Sequence, residues 1–245
     1  MVELIVLGVG VGILSGFFGI GGGTILIPAL LMFGYAIKEA IGISIVQMVF
    51  SSIYGSYLNN KKGNLDIKMV SIIGIGGFIG ALFSGYVAAF LSDKTLEIIF
   101  LLFASFALIR LFFKTNKIKD KPNINLLVLF VIGLFLGMLS MTIGVGGSII
   151  LVPILVGFMY IDLKKATSAG LFFVVFSSVS GMISHTISGD VNFESGIIIG
   201  LASLVGVYIG INLKDKIDSV LQKKLLVGFY LLIVTYLIYR IFINV

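Results

Sequence analysis

Gly19, Gly21, Gly22 and Gly23, followed by Thr24 and Pro28, form one cluster; Gly144, Gly146 and Gly147, followed by Ser148 and Pro153, form another. Each interrupts an apolar run that otherwise reads as a membrane helix. In hydrocarbon every backbone N–H and C=O must be paired, so non-helical backbone survives only inside protein or beside water. A glycine turn leaves its N–H groups uncovered. The helices that follow, "TILIPALL" and "SIILVPIL", begin with unpaired donors and the positive end of the helix dipole. Two such starts brought together at mid-bilayer make an anion site built from neutral dipoles. Gly21, Gly22, Gly23, Thr24, Gly146, Gly147 and Ser148 are therefore the first candidates to hold a negatively charged substrate. The isolated glycines Gly8, Gly12, Gly16, Gly74, Gly76, Gly80, Gly133 and Gly137 are better explained by close helix packing, which does not call for consecutive glycines.

Side chains on the following segments could complete such a site. Gln47, Ser51, Ser52, Tyr54, Ser177 and Ser178 offer amides and hydroxyls, although the serine pairs can equally bond back to helix carbonyls. Ser15 and Ser140, one turn before the glycines, carry the same two readings. His185 is the single histidine and the only group within a span that titrates near neutral pH, so it is the candidate proton carrier. An interfacial role explains it as simply. Arg110 and Arg240 sit at segment ends, where snorkelling accounts for them.

What is missing narrows the chemistry. No Asp, Glu, Lys or Arg falls between the interfacial ends of the apolar segments, whereas a cation transporter usually carries an intramembrane carboxylate. The chain has one His and no Cys. No nucleophile–base pair or metal-ligand constellation is legible, so neither an enzyme nor a metal or other cofactor is expected.

The elements that must position these residues follow from composition. Hydrophobic residues make up 59% of 245 and charged residues 11%, with mean hydropathy +1.20; a soluble chain carries about 25% charged residues. An all-α polytopic membrane protein is expected, multi-pass in the cell (inner) membrane, with the bilayer as its solvent. The start, "MVELIVLGVG", reads as a first membrane segment rather than a signal peptide. The net charge of +6 resides in short loops beside apolar spans, which points to positive-inside topology and not to nucleic acid.

Eight apolar segments stand out, at about 2–34, 40–58, 69–92, 95–113, 124–159, 166–187, 194–213 and 221–243. The charged stretch "KTNKIKDKPN" divides them into a first membrane repeat (1–113), a cytoplasmic linker (114–123) and a second repeat (124–245). The halves align at an offset of 125 to 126: Gly19, Gly21, Gly22 and Pro28 on Gly144, Gly146, Gly147 and Pro153, and "FSS" at 50–52 on "FSS" at 176–178. Gly55 matches Gly181, and Gly74 and Gly80 match Gly200 and Gly206. Repeats of this kind are a transporter signature that channels share.

Basic residues decide between parallel and inverted repeats. If all eight segments cross once, the 17 Lys and Arg divide nine to eight, with no bias. If each glycine-broken segment enters and leaves on one side, 14 of the 17 share a face and only Lys38, Lys94 and Arg240 lie opposite. The second arrangement obeys the positive-inside rule. Two inverted repeats are therefore expected, each a Gly-broken helical hairpin plus three transmembrane helices, with both termini outside.

At "GFFGIGGGTILIP" and "GMLSMTIGVGGSIILVP" the chain resembles the TauE/SafE family, the sulfite exporter family, over nearly its whole length. Ser148 stands where the first copy has Gly23, and Met141 where it has Gly16. The resemblance implies secondary transport of small sulfur-containing anions such as sulfite or organosulfonates, usually outward. The expectation is thus a transporter of a small anionic substrate by alternating access. The alternatives are an anion channel, or an uptake permease for another small oxyanion or a carboxylate.

Overall fold

The computed structural model describes residues 1–63, 67–112, 125–189 and 191–242. The expected linker at 114–123 lies outside them. The regular elements are helices α1 (Val2–Phe18), α2 (Gly23–Met32), α3 (Ile37–Lys61), α4 (Ile67–Ala81), α5 (Ser84–Phe90) and α6 (Asp93–Phe112). The second half supplies α7 (Leu126–Thr142), α8 (Ser148–Gly157), α9 (Leu163–Ser188), α10 (Phe193–Lys216) and α11 (Ser219–Phe242). Both glycine clusters break the chain as expected, α1 from α2 and α7 from α8.

Some helix starts carry a side-chain cap and others, those of α1, α3 and α5 among them, do not. Asn125, Asp162 and Asn192 cap α7, α9 and α10, their side-chain oxygens accepting from Leu127, Lys164 and Ser195 N–H groups. The starts of α2 and α8 follow Gly22 and Gly147 and carry no side-chain cap. A side-chain oxygen at the first group of starts satisfies one orphan N–H. The other two leave those donors open.

Four helices, α3, α9, α10 and α11, are long and apolar enough to cross a membrane, and α4 with α5 makes a fifth, bent by 42°. The second half thus has its three expected spans. In the first half, segment 69–92 is not one straight helix. Near the break, Ser84 Oγ donates to the Ala81 carbonyl at 2.7 Å, while Gly85 N–H donates instead to Ser184 Oγ of α9 at 2.9 Å. A side chain from another helix has replaced a link of the backbone ladder, a recognised cause of kinks. The 20-residue α6 lies outside that count, with Asp93, Lys94 and Glu97 in its first turns and Arg110 near its end.

Glycines set which helices meet and in what direction. Gly8, Gly12 and Gly16 of α1 face Ile199, Ser203 and Val207 of α10 in the same order, so the pair is parallel. Gly133 and Gly137 of α7 face Ile73 and Gly77 of α4, again in parallel. Each half therefore lays the first leg of its broken segment against a helix of the other half, and the two halves interlock. In the centre α3 and α9 run antiparallel: Gly55 meets Leu171, and Asn59 meets Ser168. Lys38 and Lys164, at the starts of these two helices, are at opposite ends of the pair.

The first hairpin is read from its neighbour α11. Gln222, at the start of α11, donates to the carbonyl of Phe17 at the end of α1, at 2.9 Å. Arg240, at the far end of α11, donates to the carbonyl of Leu31 at the end of α2, at 3.4 Å. The chain has doubled back between them. Apolar residues such as Ile75, Phe135, Leu201, Val205 and Leu232 are exposed on the outside, while serines, threonines and Gln47 are buried within. That inside-out pattern is what a hydrocarbon solvent selects.

Candidate functional site

The two glycine turns touch. A Cβ on Gly23 would run into the carbonyl oxygen of Gly144, so the first residue of α2 lies against the second turn with no room for a side chain. Gly21 (φ 66°) and Gly146 (φ 82°) both occupy the left-handed region that favours glycine. Both also rest on the same pair of side chains. A Cβ on Gly21 would lie 3.1 Å from Met48 Sδ and 3.5 Å from Val174, and one on Gly146 would lie 2.8 Å and 3.1 Å from them. Met48 and Val174 are themselves repeat counterparts, at the offset of 126. One apolar floor, contributed equally by α3 and α9, supports both turns.

Local hydrogen bonding is equivalent at the two helix starts. Ile25 and Leu26 N–H groups donate to the Gly22 carbonyl at 3.1 and 2.9 Å; Ile150 and Leu151 donate to the Gly147 carbonyl at 3.2 and 3.0 Å. These are the first intrahelical bonds. The N–H groups before them have no partner within their helix, as for any helix start. Pro28 and Pro153 are each the sixth residue of their helix. Pro153 cannot bond the carbonyl of Ile149, and Tyr230 Oη of α11 donates to that oxygen at 3.4 Å.

Polar side chains around the turns divide into satisfied and unsatisfied. Ser44 Oγ is bifurcated, between the Ile41 carbonyl at 2.8 Å and the Gly144 carbonyl at 2.9 Å, so α3 is tied to the second turn. Ser51 and Ser52 bond back to the Met48 and Val49 carbonyls, both at 3.4 Å. Ser178 does so to Val175 at 3.5 Å. Ser177 reaches both its own helix, at the Phe173 carbonyl (3.3 Å), and the Gly146 carbonyl (3.4 Å). Of the four serines, Ser177 is the one hydrogen-bonded to a turn.

Thr24 Oγ1, Ser148 Oγ, Gln47 Oε1 and Gln47 Nε2 are fully buried and have no hydrogen-bond partner among the described residues. Thr24 and Ser148 occupy the first two positions of α2 and α8. The Gln47 amide lies where a Cβ of Gly22 would be. A buried polar group without a partner costs about 1–3 kcal/mol, and native structures have few of them. Four such atoms at two uncapped helix starts form a set of unmet donors and acceptors. Ser15 Oγ, one turn before the first glycine, is also unpaired. Its counterpart Ser140 bonds the Leu136 carbonyl and abuts Gly147.

His185 adjoins the entry to the second turn, sharing the Met141 carbonyl with the Gly144 N–H. It is 1% exposed, close to the end of α9, with Nε2 3.1 Å from the Met141 carbonyl. The structure thus brings together Gly21, Gly22, Gly23, Thr24, Gly146, Gly147, Ser148, Gln47 and Ser177. Ser51, Ser52 and Ser178 sit on the same two helices but bond locally. Every residue of the group is buried.

Sequence reasoning missed Ser44, the Met48–Val174 floor, and above all Lys214. Near the end of α10, Lys214 is 1% exposed and donates to Asn59 Oδ1 at 2.8 Å and Ser168 Oγ at 3.0 Å. The sequence reading counts it among the loop cations.

Comparison with known proteins adds the following. The family model described as "Sulfite exporter TauE/SafE" matches residues 4–237. A "probable membrane transporter protein" of Bacillus subtilis is 27% identical over 223 residues, covering 86% of this chain and 89% of its own length. One of Methanocaldococcus jannaschii is 29% identical over 233 residues, covering 88% of this chain and 86% of its own length. No solved structure matches.

Proposed function

Because the chain belongs to the sulfite exporter TauE/SafE family of membrane transporters, we propose that the paired turns bind a small sulfur-containing oxyanion and carry it by alternating access. The observation that carries this reading is the cluster of partnerless groups, Gln47, Thr24 and Ser148, at two adjoining uncapped helix starts. Helix starts and backbone N–H groups favour anions. A sulfite or sulfonate headgroup supplies several acceptors to the open N–H groups, the two hydroxyls and Nε2 of Gln47. Burial of the whole set corresponds to an occluded state, in which the cargo would satisfy groups that are otherwise orphaned.

The same reading accounts for the interlocked halves. In it the two repeats are inverted across the bilayer, each doubling back at its glycines and leaving on the side it came from. Support comes from the antiparallel α3 and α9, the reversal between α1 and α2, and the segregation of bases. Lys62 and Lys164 meet Asp215 at one end, while Lys38 and Arg240 bond Ala89 and Glu97 at the other. Relative movement of the interlocked pairs α1–α10 and α4–α7 would open the turns to one side and then the other. Outward export is the direction in keeping with the family description.

The test is a thermal-shift screen of the purified protein against sulfite, sulfate, thiosulfate, sulfoacetate, taurine and carboxylates, since a ligand of the native state raises its apparent stability. Sulfite or a sulfonate should raise the midpoint most. A response to carboxylates alone would overturn the substrate class. Flux into proteoliposomes should be slow and saturable; a high, unsaturable flux would mark a channel.

A further inference from the structure

Lys214 presents an ammonium enclosed at one end of the bundle with only neutral side chains bonded to it. Asn59 of α3 and Ser168 of α9 hold it at 2.8 and 3.0 Å, and Ser168 Oγ also meets Asn59 Oδ1 at 3.0 Å. The adjacent carboxylate, Asp215, is taken by Lys62 at 2.6 Å. Asp162 and Asp218 cap the starts of α9 and α11, accepting from Lys164 N–H at 2.9 Å and Leu221 N–H at 2.6 Å. Among the described residues the ion pairs within 4 Å are Lys62–Asp215 and Arg240–Glu97, and Lys214 is in neither. Lys164 adds a further cation, its Nζ 3.4 Å from the Asp215 carbonyl. Three ammonium groups thus gather about Asp215, and among the described residues the most deeply buried has no carboxylate within 4 Å. Burying an unpaired charge is costly, and intramembrane charges without a partner mark ion pathways.

The cluster also adjoins the first glycine turn. Thr167, next to Ser168 in the chain, has its carbonyl where a Cβ of Gly19 would go, and a Cβ on Gly170 would lie 3.0 Å from the Gly19 carbonyl. At the offset of 126 the counterparts of Lys214, Asn59 and Ser168 are Ala88, His185 and Gly42. The duplication therefore places no ammonium at the equivalent position of the other half.

We propose that Lys214, with Asn59 and Ser168, is a second oxyanion site that receives the cargo at the Lys62–Lys164 end and passes it to the first turn. This rests on the reading of the cargo as anionic but not on the turns being its main site. Inorganic sulfate and sulfite are the probes, and the readout is the midpoint shift of purified protein titrated with each. Gln47→Leu with Thr24→Val disables the turns. In that background a sulfate response should persist, and adding Lys214→Gln should remove it, whereas Lys214→Arg should keep it. Ser168→Ala, which leaves the ammonium in place, should weaken the response about threefold.

The outcomes separate the two readings. If the turn variant, still folded, loses every anion response with Lys214 intact, the second site is refuted and the turns stand. Should Lys214→Gln respond to sulfate like its parent, the second site is refuted again. If Lys214→Gln abolishes all response while the turn variant behaves as wild type, the cluster is the site and the paired-turn reading falls. Where Lys214→Gln fails to fold, an unchanged affinity in Ser168→Ala and Lys214→Met counts against the cluster.

Discussion

The two glycine turns share a pattern of helix-start bonds and differ in what faces them. Gln47 of α3 covers Gly22, whereas its counterpart Phe173 of α9 covers Gly147. Thr24 at the start of α2 corresponds to Ile149, and Gly23 to Ser148. The backbone differs too: Gly22 has an ordinary φ of −71° while Gly147 is left-handed at 75°, and Gly19 N–H donates to the Ser15 carbonyl while Gly144 N–H donates to that of Met141. Duplication has kept what builds the two uncapped helix starts, and divergence has changed what lines them. The first copy lines its turn with the amide and the Thr24 hydroxyl, the second with an aromatic ring and the Ser148 hydroxyl.

The largest expected effect breaks the contact between the copies. Gly23→Ala places a methyl on the Gly144 carbonyl, which is backbone and cannot swing aside. Overpacking a close contact costs about 1–3 kcal/mol, and more where backbone must move. Folded yield and thermal midpoint should fall sharply, and sulfite should raise the midpoint less. Ser148→Ala, at the matching position, already has a Cβ and should leave the midpoint unchanged or higher. If both alanines behave alike, the two starts are not as unequal as the structure indicates.

Next in size is the pair that faces the turns. Gln47→Leu removes two buried polar atoms that have no partner, so it should stabilise the empty protein by about 1 kcal/mol. The same change should weaken sulfite binding at least about tenfold, roughly 1.4 kcal/mol. Phe173→Leu should do the reverse, destabilising by about 1–2 kcal/mol through lost packing with little effect on affinity for sulfite. Chemical or thermal unfolding with and without ligand reads both quantities. A Gln47→Leu protein that is less stable and still binds would make Gln47 a packing residue.

Much of this was legible in the sequence, for physical reasons. Consecutive glycines inside apolar runs announce broken helices because they readily take up the left-handed backbone that ends a helix, which lipid confines to the protein interior, and the repeat offset pairs the breaks. Gln47 could be placed on the segment after the first turn, but not over Gly22, since that depends on how α3 rotates against the hairpin. The serines were ambiguous: a hydroxyl on a helix can reach its own carbonyl or a neighbour, and of Ser51, Ser52, Ser177 and Ser178 only Ser177 does both. The break at Leu82–Phe83 is followed by Ser84–Gly85, a pair that can kink a helix, but its stabilising partner, Ser184, is 99 residues away from Gly85. Lys214 sits in "LKDK", beside Asp215 and Lys216, where any of the three could have faced water. Its burial is decided by Asn59 and Ser168 on two distant helices.

A smaller contrast separates the glycines themselves. Gly147→Ala forces a Cβ into the left-handed region, at about 1–2 kcal/mol, and also against Ser140 Oγ at 2.7 Å. Gly22→Ala meets no backbone penalty; it only pushes aside the flexible Gln47 amide. Thermal midpoints should therefore drop clearly for Gly147→Ala and little for Gly22→Ala. Anion affinity should follow the opposite order for its share of Gln47, falling about threefold in Gly22→Ala. Equal loss of stability in the two would remove the backbone distinction between the turns.

The smallest effect concerns the prolines. Each removes one helical hydrogen bond, from the carbonyl four residues earlier. In the second copy that oxygen, on Ile149, accepts from Tyr230 Oη at 3.4 Å; in the first copy the matching position of Tyr230 is Ala104, which has no donor to offer. Tyr230→Phe keeps the ring and loses the donor, so the change tests that bond alone. At 3.4 Å the bond is long, and the expected cost is about 0.5 kcal/mol, the lower end for such bonds. The hydroxyl bonds a backbone oxygen that is not one of the unmet groups, so sulfite affinity should not move. A fall in affinity with Tyr230→Phe would mean that α11 holds the start of α8 in its binding geometry. The second turn would then depend on an outer helix in a way the first does not.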